Sequence, residues 1–286
     1  MADNNQHGCV FVQGWWRTAI MAVAFMMLSS MPVLAGPYEW TKIDGNQTAS
    51  SPGGEVWIEL AGDRAPGSAF TFTSVGGVSI LFDPWHGPAS GSWGLWFADD
   101  MDALDQGGVD QSGFDQDAVL SPHANWDRDT STMPDGTLLL DRLDGAWALA
   151  DVRVIGFADN NIVLIIMGGT RLLIWGEGLP DVDTGLWSEI GVVDVLILPI
   201  DDTQTSLSYD AAAIIIDRLA PDVIIPGLYL AAGVDATQSQ LGTAEEWTRR
   251  QNYHTILREP ILSITGEWVH SLDRHVQYFG NHHLLD

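Results

Sequence analysis

Apolar segments separated by glycine pairs predict two β-hairpins in this chain. Residues 67–85 contain two apolar segments on either side of a Gly-Gly pair at 76–77, and residues 160–177 repeat this arrangement around the pair at 168–169. Each segment has the length of a β-strand, and a Gly-Gly pair suits the tight turn of a hairpin.

The pattern that follows the second hairpin predicts a strand, a helix and another strand. Residues 192–200 are apolar apart from Asp194, and a nearly continuous apolar run is typical of a strand buried on both faces. Residues 209–219 carry apolar side chains at helical spacing, and residues 222–229 form the next apolar run.

The N-terminal residues 1–35 resemble a secretory signal. Arg17 precedes a short apolar stretch, and small residues lead to a cleavage site near Ala35. The alternative is an uncleaved membrane anchor with Trp15 and Trp16 at the interface, although polar residues and a proline keep the apolar run below the ~20 residues of a span. We expect export to a periplasmic or extracellular location.

The rest of the chain divides into an arm, one domain and a tail. Residues 36–55 are rich in Gly, Pro, Ser and Thr and predict a linker or N-terminal arm, residues 56–280 predict one domain, and 281–286 form a tail. About 250 mature residues suffice for one large domain. The single cysteine, Cys9, lies in the predicted signal, so the mature protein would form no disulfide.

The charge balance limits the kinds of partner. The chain has 38 acidic and 12 basic residues and a net charge of −26. This excludes nucleic-acid binding through phosphate contacts and argues against docking on anionic lipid. The remaining partners are an unknown small molecule or a protein, with no stable membrane span after signal cleavage.

Residues 119–128 contain the main candidate for chemistry. They resemble a His-x-His-x-Asp-His metal motif that follows a buried strand, with His123 and Asp127 at the first and third ligand positions. Asn125 and Arg128 replace the second and last histidines. This motif is similar to that of the metallo-β-lactamase superfamily, in its lactonase-like, zinc-dependent hydrolase branch.

Three further segments extend this resemblance. The family ends its first hairpin in Asp-Pro-Trp, as residues 83–85 do here, and its second hairpin in His-x-Gly-Asp, where this chain has Ile174 and Glu177. The family's next strand ends in Ile-Pro-x-His-Tyr, and Leu228 occupies the histidine position. The resemblance implies an α/β fold, the αββα sandwich of two mixed sheets flanked by helices.

The resemblance also implies a degenerate metal site. An intact two-metal site lowers the pKa of a bridging water and polarises the scissile bond. This chain keeps three candidate ligands, His123, Asp127 and Glu177, and replaces four, at Asn125, Arg128, Ile174 and Leu228. A guanidinium ~4 Å from a dication would meet a repulsion of roughly 8 kcal/mol at an effective dielectric near 20. We therefore expect Arg128 to pair with Asp127, Glu177 or both.

Each retained residue has an alternative interpretation. His123 is either a metal ligand or a packed, hydrogen-bonded residue that no longer binds metal. Asp127 is either a ligand or the partner of Arg128 or of the backbone. Glu177 is either a ligand or a solvent-exposed residue. His86, on a loop near the expected pocket, is a replacement ligand or a surface histidine.

Tryptophans within the two metal motifs also require an explanation. Trp126 and Trp175 either line a concave site for an apolar or sugar-like ligand or fill the volume of a lost metal cluster.

We therefore hypothesise an exported pseudoenzyme that binds a ligand or a partner and needs no cofactor. The alternative is a metal-dependent hydrolase of an ester, lactone or phosphoester, with a remodelled site that is mononuclear in the simplest case. Only this alternative requires zinc, and in it Asp127 or a metal-bound hydroxide would act on the substrate.

Overall fold

A computed structural model describes residues 41–43, 53–60, 70–82, 118–121, 138–141, 144–157, 162–176, 184–229 and 241–280. In chain order these residues form β1 (Thr41–Ile43), β2 (Glu55–Leu60), β3 (Phe70–Ser74), β4 (Ser79–Phe82), β5 (Ala118–Ser121), β6 (Leu138–Asp141), β7 (Asp144–Leu149), β8 (Val152–Phe157), β9 (Ile162–Met167), β10 (Thr170–Trp175), α1 (Thr184–Ile190), β11 (Val195–Pro199), α2 (Tyr209–Leu219), β12 (Val223–Gly227), α3 (Glu245–Arg249), β13 (His254–Ile256), β14 (Ile261–Thr265), α4 (Gly266–Val269) and β15 (His275–Tyr278).

The strands form two mixed sheets. The nine-stranded sheet has the order β1-β7-β8-β9-β10-β11-β12-β15-β13, and the six-stranded sheet has the order β14-β2-β3-β4-β5-β6. In the larger sheet the pairs from β1 to β10 are antiparallel, whereas those from β10 to β13 are parallel. The smaller sheet is antiparallel from β14 to β4 and parallel from β4 to β6.

Both predicted hairpins are present. β3 and β4 pair antiparallel around the first Gly-Gly pair, and β9 and β10 pair around the second. The predicted strand in 192–200 is β11, and every one of its residues is buried, as expected for a strand covered on both faces. The predicted strand in 222–229 is β12.

The predicted helix in 209–219 is α2. Ser208 caps its N-terminus by accepting a hydrogen bond of 3.2 Å from the N–H of Ala211. Ala220 ends it in the left-handed conformation, with φ of 47°. The buried face of α2 lies against the nine-stranded sheet, because Ile215 and Ile216 belong to the same apolar cluster as the strand residues facing the helices.

The nine-stranded sheet separates two apolar cores. The first core lies between the sheets and includes Phe72 and Ile80 of the smaller sheet and Ile165 of the larger sheet. The second core lies between the larger sheet and the helices and includes Leu164 of β9 and Ile215 of α2. Successive residues of β9 alternate between the two cores because strand side chains alternate between faces.

One strand forms within the segment 36–55 that the sequence predicts as a linker or arm. Thr41–Ile43 pairs antiparallel with β7 at the edge of the larger sheet, with Lys42 opposite Trp147. The Nζ atom of Lys42 lies 5.8 Å from the centre of the Trp147 ring, within the range of a cation–π contact.

In the part of the chain that the structure describes, no helix has the length and apolar content needed to cross a membrane.

The turn between β9 and β10 contacts the start of β2 and so joins the two sheets. The N–H of Gly54 donates a 3.0 Å hydrogen bond to the carbonyl oxygen of Gly168. Gly168 has φ of +58°, and a Cβ atom there would lie 2.8 Å from Cγ2 of Val56 and 2.9 Å from the oxygen of Gly54. Only glycine fits this position without a shift of the backbone.

We expect Gly168→Ala to lower the free energy of unfolding by about 3 kcal/mol, by combining left-handed strain with a clash against backbone. Gly77→Ala is the matched control: Gly77 also has positive φ, at +85°, but a Cβ atom there would meet nothing within 4 Å. It should cost only about 1 kcal/mol, from the left-handed backbone. Urea denaturation measures both values, and equal losses would contradict the proposed close approach.

Candidate functional site

Three adjacent parallel strands end at the same edge of the larger sheet. Ile174 of β10 pairs with Ile197 of β11, and Ile197 pairs with Ile225 of β12. We call residues 174–176, 199–202 and 227–229 the strand-end edge. Ligands of open α/β sheets bind at the carboxyl ends of their strands, so this edge is the expected place for a site.

The strand-end edge carries aliphatic side chains where the resemblance to the metallo-β-lactamase superfamily implies metal ligands. Ile174 is 2% exposed and its side chain lies in the core between the sheets. Leu228 is partly buried and has φ of +54°, a left-handed conformation in which histidine is more common than aliphatic residues. Neither side chain has a lone pair, so these two residues do not fit a bound zinc ion.

Trp175, which the sequence suggested as a pocket residue, lies on the opposite face of β10 from Ile174. Its side chain is buried in the core beside the helices and stacks on Trp187 of α1, with ring centres 5.4 Å apart and an angle of 24° between the planes. The guanidinium carbon of Arg218 lies 5.7 Å from the centre of the Trp187 ring. Trp175 thus packs α1 and α2 onto the sheet, and the sheet separates it from Ile174.

A buried aspartate follows β11 at the strand-end edge. Asp201 is fully buried, and its carboxylate accepts hydrogen bonds from the N–H groups of Thr203 (2.9 Å), Thr205 (3.0 Å), Ser206 (3.4 Å) and Gly242 (3.2 Å). The hydroxyl of Thr203 donates a further bond. Because a buried carboxylate is costly unless it is hydrogen-bonded, these donors explain how Asp201 is tolerated.

The next residue, Asp202, joins the loop to two helices. Its carboxylate accepts hydrogen bonds from the hydroxyl groups of Tyr209 (3.0 Å) and Thr243 (2.7 Å), and from the N–H groups of Glu246 (3.1 Å) and Trp247 (3.0 Å). The last two bonds cap the N-terminus of α3. Neither aspartate was predicted as a functional residue from the sequence, although two acidic residues directly after a predicted buried strand were the available signal.

The arrangement of the described strands and helices matches that of solved proteins. A protein from Thermotoga maritima, assigned to the Zn-dependent hydrolases of the metallo-beta-lactamase superfamily, aligns with a TM-score of 0.53 and 17% sequence identity. The alignment covers 78% of this chain and 98% of that chain. This chain has the metallo-β-lactamase fold. The predicted sandwich is confirmed.

Two other solved proteins align with lower scores. Igni18, a metallo hydrolase from Ignicoccus hospitalis, has a TM-score of 0.42 and 15% identity, and covers 74% of this chain and 98% of its own. YhfI, a metallo-beta-lactamase fold protein from Bacillus subtilis, has a TM-score of 0.41 and 10% identity, with coverage of 79% and 97%. No protein-family model and no curated protein sequence matches the chain.

The three candidate metal ligands retained by the sequence, His123, Asp127 and Glu177, all lie outside the described residues. Strand β5 ends at Ser121, two residues before the first of them, which agrees with a motif placed directly after a strand. The residues outside the described ranges are His86, His123, Asn125, Trp126, Asp127, Arg128 and Glu177. Their roles, and the pairing of Arg128, stay predictions.

A second group of titratable residues lies at the opposite edge of the larger sheet. Asp194 and Asp222 directly precede β11 and β12, and His270 follows α4. The His270 Nδ1 atom lies 2.9 Å from an oxygen of Asp222, and one ligand atom from each of the three residues lies within 4.8 Å of the other two. Two carboxylates and an imidazole could hold a divalent transition metal. This group is separate from the strand-end edge.

Burial and hydrogen bonding determine the electrostatics of this group. Burial raises the pKa of Asp194, although the backbone N–H of Arg171, which donates a 2.7 Å bond to this carboxylate, acts in the opposite direction. The guanidinium of Arg171 donates hydrogen bonds to the carbonyl oxygens of Val192 (2.6 Å) and Ile190 (2.7 Å). It thus provides a hydrogen-bond donor for a carbonyl group at the C-terminus of α1. The hydrogen bond to Asp222 raises the pKa of His270.

The raised pKa of His270 predicts a pH-dependent contribution to stability. Because protonated His270 is favoured in the folded protein, its contribution is fully present below the unfolded pKa of ~6.5 and is lost as pH rises through the folded pKa. The side chain is 60% exposed, so solvent screening limits the effect to less than about 1 kcal/mol. His270→Gln should therefore lower the free energy of unfolding more near pH 5.5 than near pH 8.5, roughly the limits set by this titration.

Urea denaturation across this pH range measures the difference. His254→Gln is the matched control, because the exposed His254 ring contacts the carbonyl oxygen of Gln251 instead of a carboxylate. A cost of His270→Gln that does not change with pH would show that the histidine contributes through packing alone.

Proposed function

We propose that this protein is an exported metallo-β-lactamase-fold protein that binds a ligand or a partner and does not catalyse zinc-dependent hydrolysis. The observation that carries the proposal is the chemistry of the strand-end edge. Ile174 and Leu228 stand at two ligand positions of the resemblance, and neither offers a donor atom. Ile174 packs into the core instead.

The described carboxylates of the strand-end edge support the same proposal. Asp201 and Asp202 each accept at least four hydrogen bonds from the protein. Moving either carboxylate towards a metal would break these bonds, and each donor left without a partner away from water would cost about 1–3 kcal/mol. These aspartates are therefore structural and are poor replacements for the missing ligands.

Arg128 adds a charge argument from the sequence. If the guanidinium faces the pocket, it supplies in part the positive charge that a metal ion would supply, and it neutralises a neighbouring carboxylate. The export part of the proposal rests on residues 1–35, whose basic flank, apolar stretch and small residues match a secretory signal.

We expect the purified mature protein, expressed with supplemented zinc, to contain no stoichiometric zinc bound through His123. Plasma mass spectrometry measures the metal content. The controls are His123→Gln, which removes a retained ligand of the motif, and His270→Gln, which removes the group at the opposite edge. About one zinc per chain that disappears in His123→Gln but not in His270→Gln would contradict the proposal and favour the hydrolase alternative.

Restoring the missing ligands should create a zinc site if these residues are correctly matched to the ligand positions of the family. The triple variant Asn125→His, Arg128→His, Leu228→His would supply three imidazoles beside His123 and Asp127. The left-handed backbone of Leu228 suits histidine, so this substitution should be tolerated. Zinc at about 100 times its dissociation constant would raise the free energy of unfolding by about 2.7 kcal/mol.

Thermal denaturation with and without zinc tests this expectation. The control adds His123→Gln to the triple variant, which should abolish the stabilisation by zinc. A folded triple variant without any zinc-dependent change would show that these residues do not share one pocket.

A further inference from the structure

A pocket of about 440 Å³ lies on the helix side of the larger sheet, between α2 and the segment that joins α3 to β13. Its buried surface includes Ile216 of α2, Ile224 of β12 and Trp247 of α3. Pockets for small ligands have volumes of about 300–1,000 Å³ and are lined by apolar and aromatic side chains with a few polar groups. We call this space the α2–α3 pocket.

Three aromatic side chains line the α2–α3 pocket, and one carboxylate bonds the side chain of one of them and the backbone of another. The same Oδ1 atom of Asp202 accepts hydrogen bonds of 3.0 Å from the Tyr209 hydroxyl and from the backbone N–H of Trp247. The third aromatic residue, Tyr253, is 60% exposed. The Tyr209 side chain is therefore held in place before any ligand binds, and the Trp247 side chain is buried, so little side-chain freedom is lost on binding.

Two arginines also line the pocket, in a chain that has only 12 basic residues. The guanidinium carbon of Arg250 lies 5.7 Å from the centre of the Tyr209 ring, and the guanidinium also bonds to Glu246 one helical turn earlier. Arg274 forms a 2.6 Å pair with Asp217 on α2.

Both of these ion pairs are open to solvent. The side chains of Arg250 and Glu246 are each 60% exposed, and those of Arg274 and Asp217 are 44% and 72% exposed. An exposed ion pair contributes about 0–1 kcal/mol, so exchanging its carboxylate for an anionic ligand costs little. A guanidinium can bond a carboxylate, sulfonate or phosphate through two parallel N–H groups.

The geometry points to the α2–α3 pocket as a binding site for a small aromatic molecule that carries an anionic group. The aromatic part stacks against Tyr209 and Tyr253 over the apolar floor, and the anionic group bonds to the guanidinium of Arg250. This site lies on the helix face of the sheet. None of its lining residues belongs to the strand-end edge.

The test uses two fluorescent naphthalene probes that differ in charge. The anionic probe 8-anilinonaphthalene-1-sulfonate should bind the folded mature protein saturably with a stoichiometry of one. The neutral probe N-phenyl-1-naphthylamine, which lacks the sulfonate, should bind about tenfold more weakly, a factor that corresponds to about 1.4 kcal/mol. Arg250→Gln should weaken the anionic probe by about the same factor and leave the neutral probe unchanged.

Arg249→Gln is the matched control. Arg249 also forms an exposed pair with a glutamate one turn earlier, but it does not line the pocket. Removing it changes the net charge by the same amount, so it should leave the binding of both probes unchanged. Tyr253→Ala, at an exposed position, should weaken both probes because it removes an aromatic wall.

Three results would overturn the inference: no saturable binding of the anionic probe, equal affinity for the two probes, or equal weakening by Arg249→Gln and Arg250→Gln. Thermal denaturation of each variant verifies that the fold is intact, since 8-anilinonaphthalene-1-sulfonate also binds partly folded proteins. The zinc content is measured separately. A negative result with the probes therefore leaves the proposal that the protein does not catalyse zinc-dependent hydrolysis unaffected.

Discussion

Burial of the central strands on both faces is the constraint on which the rest of the structure depends. Every residue of β9, β11 and β12 is buried, because the smaller sheet covers one face and the helices cover the other. In strands of this kind apolar side chains occupy both faces, and the backbone polar groups pair within the sheet. Charged side chains are therefore found at the ends of these strands.

The two ends of β11 show the consequence. Asp194 precedes the strand and is hydrogen-bonded to the backbone of Arg171, whereas Asp201 follows it and accepts bonds from its own loop and from Gly242. Both carboxylates are buried, and both are stabilised by backbone N–H groups from other segments. Open α/β sheets bind ligands at the carboxyl ends of their strands. In the described part of the strand-end edge, the carboxylates already accept hydrogen bonds from the protein itself.

Asp202 links that edge to the helix face. It holds the start of α2 through Tyr209 and the start of α3 through Trp247, and these two residues form walls of the α2–α3 pocket. One loop therefore serves two regions: Asp201 stabilises the loop itself and Asp202 positions the pocket. A carboxylate that caps a helix and accepts a tyrosine hydroxyl is a rigid support, because its acceptor sites are used by several donors at once.

The hairpins, β11, α2 and β12 were predictable because their signals are local. A Gly-Gly turn, a continuous apolar run and helical spacing are each contained within about 20 residues. No element after residue 229 was predicted from the sequence, although β13, β14 and β15 follow there. β13 and β15 have only three and four residues, and their order depends on the parallel pairing of β15 with β12 and of β13 with β15.

The sequence by itself determined that two positions of the strand-end edge carry no metal-ligand atom. The side chains of Ile174 and Leu228 are hydrocarbons in any conformation, whatever the fold around them. Only the tertiary structure decided that Trp175 packs beside the helices, that Asp202 reaches Thr243 and Trp247, and that Asp194, Asp222 and His270 meet. The physical reason is distance along the chain. The side-chain donor atoms are a property of each residue, whereas a contact between residues that are distant along the chain exists only after the sheets have formed.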